Sequence, residues 1–316
     1  VSHGSSTPMS RRLAAGAATL LLAAGLAGCS DGGAQERAAG KGVPAAGASS
    51  AGAADRTRRP EPEQASQSPS AAASASASPM PSAEAADSSA ADGPLKGKVV
   101  VVDPGHNSRN NEHTAEINRQ VDIGTGHKEC DTTGTETNSG YTEAAFSLDL
   151  AHRLRKILQE RGAKVVLTHD GDRPFGPCVT ERADIGNKAH GDAAISLHAD
   201  GAAPGQRGFH VILPASVHGG AADTSSIVGP SKELGARVAG KFVQSTGSAP
   251  SNYIGEGSGL DTRGDLGGLN LSTIPKVFIE CGNMRDAQDA AQLTDETWRE
   301  KAAQGIANGI TDFLHG

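Results

Sequence analysis

The chain has 316 residues, a formal net charge of -7 and a hydrophobic fraction of 36%, with 3% aromatic residues. The acidic balance argues against nucleic acid as a partner, since that needs clustered Lys and Arg. Composition is uneven: the segment before Leu95 is nearly devoid of aromatic and large apolar side chains, whereas the last roughly 220 residues carry regular apolar segments and suffice for one full core.

The N-terminal segment reads as an export signal. Ser10-Arg11-Arg12 is basic, Leu13 to Ala27 is apolar, and Leu26-Ala27-Gly28-Cys29 closes the run. It is too short for an ordinary membrane-spanning helix and has the flanks of a signal peptide, compact if translation starts at Met9. The four residues ending at Cys29 resemble a bacterial lipobox. That resemblance implies cleavage before Cys29 and a lipid on its sulfur, holding the protein to the outer face of the cell membrane. The expected division is a signal peptide over 1–28, a tether over 29–94 and a folded domain over 95–316. The tether is rich in Ala, Ser, Pro and Gly, as in Ser70-Ala71-Ala72-Ala73-Ser74, and cannot bury enough apolar surface to offset its ordering entropy. Such a tether supplies reach.

Within the folded part, Lys98 to Asp103 contains four consecutive valines, the mark of a strand covered on both faces. A polar segment follows, from Asn107 to Gly140. Thr142 then caps a helix in which Phe146, Leu150, Leu154 and Ile157 recur at helical spacing, and Gly162 stops it. Lys164 to Thr168 is the next strand, completing a β-α-β unit. Further on, a helix is predicted over Thr180 to Ala189 and strands over Ala193 to Leu197 and Gly208 to Leu213. Another helix is expected over Lys232 to Gln244 and an irregular Gly-rich stretch over Asn252 to Ser272. Lys276 to Glu280 reads as a strand and Trp298 to Leu314 as the last helix. The alternation indicates one α/β domain, with a mostly parallel or mixed central sheet flanked by helices on both faces.

Of four cysteines, Cys29 belongs to the lipobox. Cys130 and Cys178 lie in polar loops of an exported chain, where a disulfide is expected; it would close a loop of about 49 residues and contribute roughly 4 kcal/mol by chain entropy. Cys281 ends an apolar strand and reads as a buried free thiol. A metal site on His127 and Cys130 lacks the paired spacing such sites use.

Three predicted strands end in groups suited to metal chemistry. They are Asp103-Pro104-Gly105-His106, Ser196-Leu197-His198 and Glu280-Cys281-Gly282-Asn283. In open α/β sheets, sites form outside the carboxyl ends of the strands. His106, His198 and Glu280 would converge there, joined by Glu143 from the first turn of the helix after Thr142. Two imidazoles and a carboxylate make a common catalytic zinc set, and a second carboxylate can take the proton of an attacking water. Spacing alone leaves open which glutamate binds and which transfers protons. His210, inside a strand, is the one serious competitor among the other histidines. Asp103 either orients a ligand from behind or closes the Pro-Gly turn. Arg263 and Asp265 either contact substrate carboxylates or brace their loop.

Residues from about Lys98 to Phe313 resemble the zinc-dependent N-acetylmuramoyl-L-alanine amidases typified by the bacterial cell-separation enzymes. The matching segments are VVVDPGHN, TEAAFSLDLAHRLRKIL, ERADIGNKAHGDAAISLHADGA and DLGGLNLSTIPKVFIECGNMRD, in the family's order. The resemblance implies Zn2+ on His106, Glu143 and His198, with Glu280 as the catalytic carboxylate. It also implies cleavage between N-acetylmuramic acid and L-alanine in peptidoglycan, by a protein expected to act as a monomer. Two departures stand out: Asn107-Ser108 follow His106 where the family often has two glycines, and the segment from His106 to Glu143 is long. Between Asp200 and Lys276 there is room for a strand, one helix and a Gly-rich loop, so no inhibitory helical insert is expected. Rival readings are a zinc peptidase cutting within the stem peptide and a lipoprotein that binds cell wall without cleaving it.

Overall fold

The valine run forms the strand expected of it. A computed structural model describes residues 93–316; the signal peptide, Cys29 and the tether as far as residue 92 lie outside the described residues. Strand β1, Val99–Pro104, lies between two parallel neighbours, β2 at Lys164–Leu167 and β3 at Ala193–Asp200. Val100, Val101 and Val102 are completely buried. Val100 and Val102 face the main core, and Val101 packs with Ala194 and Ile274 on the other side. That two-sided burial is why the run does not alternate with polar residues.

Three further strands complete the sheet: β4 at His210–Pro214, β5 at Leu260–Arg263 and β6 at Lys276–Asn283. The order is β2-β1-β3-β6-β4-β5. β6 runs parallel to β3, whereas β4 is antiparallel to β6 and carries β5 parallel to itself. The sheet is therefore mixed, as the sequence allowed. β5 falls inside the stretch expected to be irregular. Its sequence, Leu-Asp-Thr-Arg, occupies a sheet edge and is only partly buried, so it carries no apolar signal.

Helix α1 spans Glu143–Glu160, with Thr142 Oγ1 accepting from Ala145 N at 3.3 Å. Its buried face is the predicted one: Phe146, Leu150, Leu154 and Ile157. Helix α2, Val179–Lys188, lies on the opposite side of the sheet, against the helical turn Gly267–Asn270. Helix α3 spans Val228–Thr246 and starts before the predicted Lys232, because Pro230 sits in its first turn, where no N–H partner is required. Helix α4, Ala287–Thr294, escaped sequence reading; Asp286 caps it by accepting from Gln288 N and Asp289 N. Helix α5 spans Glu296–His315 under an Asp295 cap. Helices α1, α3 and α5 share the large core with Val211, Val277 and Ile279. One face thus carries three long helices and the other mainly α2, with room left there for a cavity.

The polar segment after His106 is ordered. It holds the helical turn Thr114–Ile117 and a ribbon of Gln120–Asp122 paired with His127–Glu129. The expected Cys130–Cys178 disulfide is formed, and it ties this segment to the residue preceding α2. Cys281 is free and buried.

Candidate metal centre

Three side chains distant in sequence meet at the carboxyl edge of the sheet. His106 follows β1, Glu143 opens α1 and His198 lies in β3. Glu143 Oε1 is 2.9 Å from His106 Nε2 and 2.8 Å from His198 Nδ1. One potential ligand atom from each residue lies within 4.8 Å of the other two. His106 Nδ1 is 3.0 Å from Thr132 O, a bond that places the proton on Nδ1 and leaves the Nε2 lone pair free. His198 is stacked on Phe278 of β6, with ring centroids 3.9 Å apart. Glu143 Oε2 accepts from Thr135 N at 2.9 Å.

Two close approaches of backbone make this packing possible. A Cβ on Gly105 would fall 2.3 Å from His198 Cε1, and one on Gly134 would fall 2.7 Å from His106 Cδ2 and 2.8 Å from Glu143 Oε2. Both positions exclude a side chain.

Electrostatics suit a cation. Burial by itself would raise the Glu143 carboxyl pKa, but His106 and His198 outweigh it and hold it far below the ordinary range. Burial lowers the His198 pKa and keeps that imidazole neutral. His106 is pulled upward by Glu143 despite its burial. Two imidazole nitrogens and one carboxylate oxygen, converging from rigid elements, are donors that fit a divalent ion.

Glu280 faces the same centre. It is register-paired with His198 across β3 and β6, and its Oε2 is buried with no hydrogen-bond partner among the described residues. Burial, reinforced by Glu143 and Asp200, pushes its pKa well above the ordinary carboxylate value. A buried carboxylate oxygen without a partner is costly unless the site supplies one in use. His106, Glu143, His198 and Glu280 all line a single cavity of about 390 Å³.

Residues 100–312 match the family model described as N-acetylmuramoyl-L-alanine amidase. The N-acetylmuramoyl-L-alanine amidase Rv3717 of Mycobacterium tuberculosis is 39% identical over 231 residues, covering 72% of this chain and 91% of that protein. The crystal structure of the amidase Ami1 from Mycobacterium smegmatis aligns with a TM-score of 0.63 at 38% identity, over 70% of this chain and 98% of that one. Ami1 from Mycobacterium abscessus gives 0.64 at 39% identity, over 70% and 100%. The chain belongs to the N-acetylmuramoyl-L-alanine amidase family.

In this amidase-family domain the remaining candidate residues fall outside the cluster. His210 is buried in β4, with Nδ1 lacking a partner among the described residues, and it is absent from the gathered donors. Asp103 corrects the expectation that it orients a ligand directly. Its carboxylate accepts from Thr168 Oγ1, Ser196 Oγ, Arg182 Nη1 and Lys276 Nζ, and from no ligand side chain. It reaches His106 only through Arg182, whose Nη2 donates to His106 O at 3.0 Å and to Asp131 Oδ2 at 2.9 Å. Arg263 and Asp265 line the cavity, but they are paired with each other by two bonds of 2.8 Å, and Asp265 also takes Lys128 Nζ at 3.1 Å. Of their two expected roles, bracing is the one in place.

Sequence reasoning missed Arg182, Asp131 and Thr132, which support His106 from behind. Arg182 occupies the buried side of α2 beside Ala183 and Gly186, where an uncompensated charge would not survive. That position was the available signal.

Proposed function

We propose that this protein hydrolyses the amide between the lactyl group of N-acetylmuramic acid and the L-alanine of the peptidoglycan stem peptide. His106, Glu143 and His198 would hold a zinc ion and Glu280 would serve as the proton-transfer group. Zinc bound there supplies Lewis acidity, which sharpens water as a nucleophile and polarises the amide carbonyl. The chain's residues do the rest. Thr132 O holds His106 in the tautomer that presents Nε2. Thr135 N holds Glu143 Oε2 and so orients its other oxygen toward the imidazoles. Glu280 takes the proton from the attacking water and returns one to the departing L-alanine nitrogen, a carboxylate of raised basicity being suited to both transfers.

The observation that carries this reading is the convergence of the three donors in the cavity that also holds the unpartnered Glu280. The family relationship supplies the substrate class. Mass spectrometry of digested peptidoglycan tests it: stem peptides with free N-terminal L-alanine are expected, and a cut inside the peptide would overturn the assignment in favour of a peptidase. Glu280→Gln is expected to keep stoichiometric zinc and lose at least about a hundredfold in turnover. Full turnover in that variant would remove Glu280 from the reaction.

A further inference from the structure

A second hollow of about 470 Å³ adjoins the catalytic cavity and shares Gly134 and Thr135 with it. The two are chemically unlike. The cavity combines charged groups with an apolar wall that includes Val179, Ile212 and Phe278. The second hollow is lined by hydroxyl and amide side chains, those of Ser108, Asn111, Thr133 and Thr142 among them, with one carboxylate, Glu136, and no Lys or Arg.

The divide between them is bare backbone. Gly134 lies directly against His106 and Glu143, so closely that no Cβ fits. A substrate whose reacting bond sits at these two residues can therefore extend into both hollows. Among the described residues, no hydrogen bond uses Ser108 Oγ or the Asn111 amide, and both residues are exposed. Thr133 Oγ1 makes one long bond, 3.4 Å, to Gly134 O. These groups can each donate and accept, which matches a neutral ligand rich in hydroxyl and amide groups and not an apolar or strongly charged one.

Given the proposed reaction, the two halves of the substrate differ in the same way: an uncharged ring bearing hydroxyl and acetamide groups on one side of the scissile bond, a peptide with apolar and ionised groups on the other. We propose that the Ser108–Asn111–Thr133 hollow is the sugar subsite, taking the N-acetylmuramoyl ring while the stem peptide occupies the charged and apolar cavity. The inference rests on the amidase reading. It assigns a use to Asn107-Ser108, the pair standing where two glycines are common, since Ser108 brings a hydroxyl into the hollow.

The test compares two soluble substrates on the full chain loaded with zinc. One is an N-acetylmuramoyl-L-alanyl peptide, the other the same peptide with a bare lactoyl group in place of the sugar. The readout is the ratio of their kcat/KM values. The native protein is expected to favour the sugar-bearing substrate. Ser108→Ala and Asn111→Ala are each expected to lower that ratio by about two- to tenfold, mainly through KM, as fits loss of one hydrogen bond. Ser108→Trp, which fills the hollow, is expected to abolish the preference. Both positions are exposed, so folding is not at stake. A native ratio near one, or ratios unchanged in all three variants, overturns the subsite. If neither substrate releases a peptide with free L-alanine, the amidase reading itself has failed, and the subsite with it.

Discussion

Behind His106 sit two carboxylates and two cations with almost no access to solvent. Arg182 bridges Asp103 and Asp131, and Lys276 bonds Asp103 at 3.0 Å. Buried pairs of this kind add little over an apolar core, but losing one partner strands the other, at a cost of about 3–5 kcal/mol. Arg182→Met is therefore expected to lower unfolding free energy by that amount in urea titrations, and to weaken zinc binding because the His106 carbonyl loses its donor. Acid has a related effect. Burial would raise the Asp103 pKa, but Lys276 and Arg182, with the Ser196 and Thr168 hydroxyls, overcome it and hold it well below the ordinary value. A carboxylate depressed in the folded state stabilises the fold at pH above its unfolded pKa of about 3.9 and loses that contribution as pH falls toward the folded value. Denaturation midpoints should accordingly decline below about pH 4, and less steeply in Asp103→Asn, whose midpoint is already lower at neutral pH. An equally steep acid decline in that variant would take Asp103 out of the acid response.

Elements explain why these residues meet. Glu143 reaches the centre because Thr142 fixes where α1 begins. His198 and Glu280 are neighbours because β3 and β6 pair in register. The segment from Asn107 to Gly140 has little regular structure of its own and is held by a cross-link: Cys178 precedes α2, and Val179 N donates to Cys130 O at 2.7 Å. Asp131 and Thr132, which follow Cys130 directly, support His106. Replacing both cysteines with alanine is expected to cost up to about 4 kcal/mol and to lower Tm by roughly 5–15 °C. Zinc affinity should fall as well, since the Thr132 carbonyl loses its anchor. An unchanged chelator-competition curve would show that the cross-link serves stability alone.

At the scale of the whole molecule, the heavy face of the sheet is a core and the light face is the working side. The one long helix between Asp200 and Lys276 is α3, which packs Leu234, Val238 and Phe242 into that core and contributes no residue to the cavity lining. The ends of the described domain also meet: Leu95 is fully buried, and His315 Nε2 bonds Pro94 O at 2.7 Å. Residues 95–316 should thus fold alone and hydrolyse purified cell wall without an added activator; activity appearing only with a partner would contradict this. No helix among the described residues is long and apolar enough to cross a membrane. Membrane attachment is accordingly assigned to a lipid on Cys29, and Cys29→Ala is expected to move the protein from the membrane fraction to the soluble one.

Much of this was legible in the chain itself. The valine run, the apolar stripe of α1 and the strand-terminal His106, His198 and Glu280 are local patterns, because periodicity and burial are imposed residue by residue along one element. β5 and α4 were not legible. The first is a polar edge strand held by pairing to β4, the second a short helix set by the Asp286 cap. The support of His106 by Arg182 was hidden for the same reason, as it joins residues 76 positions apart. Sequence by itself determined which donor groups exist and which elements carry them. Tertiary structure decided what faces what: that Asp103 serves Arg182 instead of a ligand, that Arg263 is engaged by Asp265, and that bare backbone at Gly134 parts two hollows of opposite character. Those outcomes depend on distances between separate elements, which packing sets and local composition does not encode.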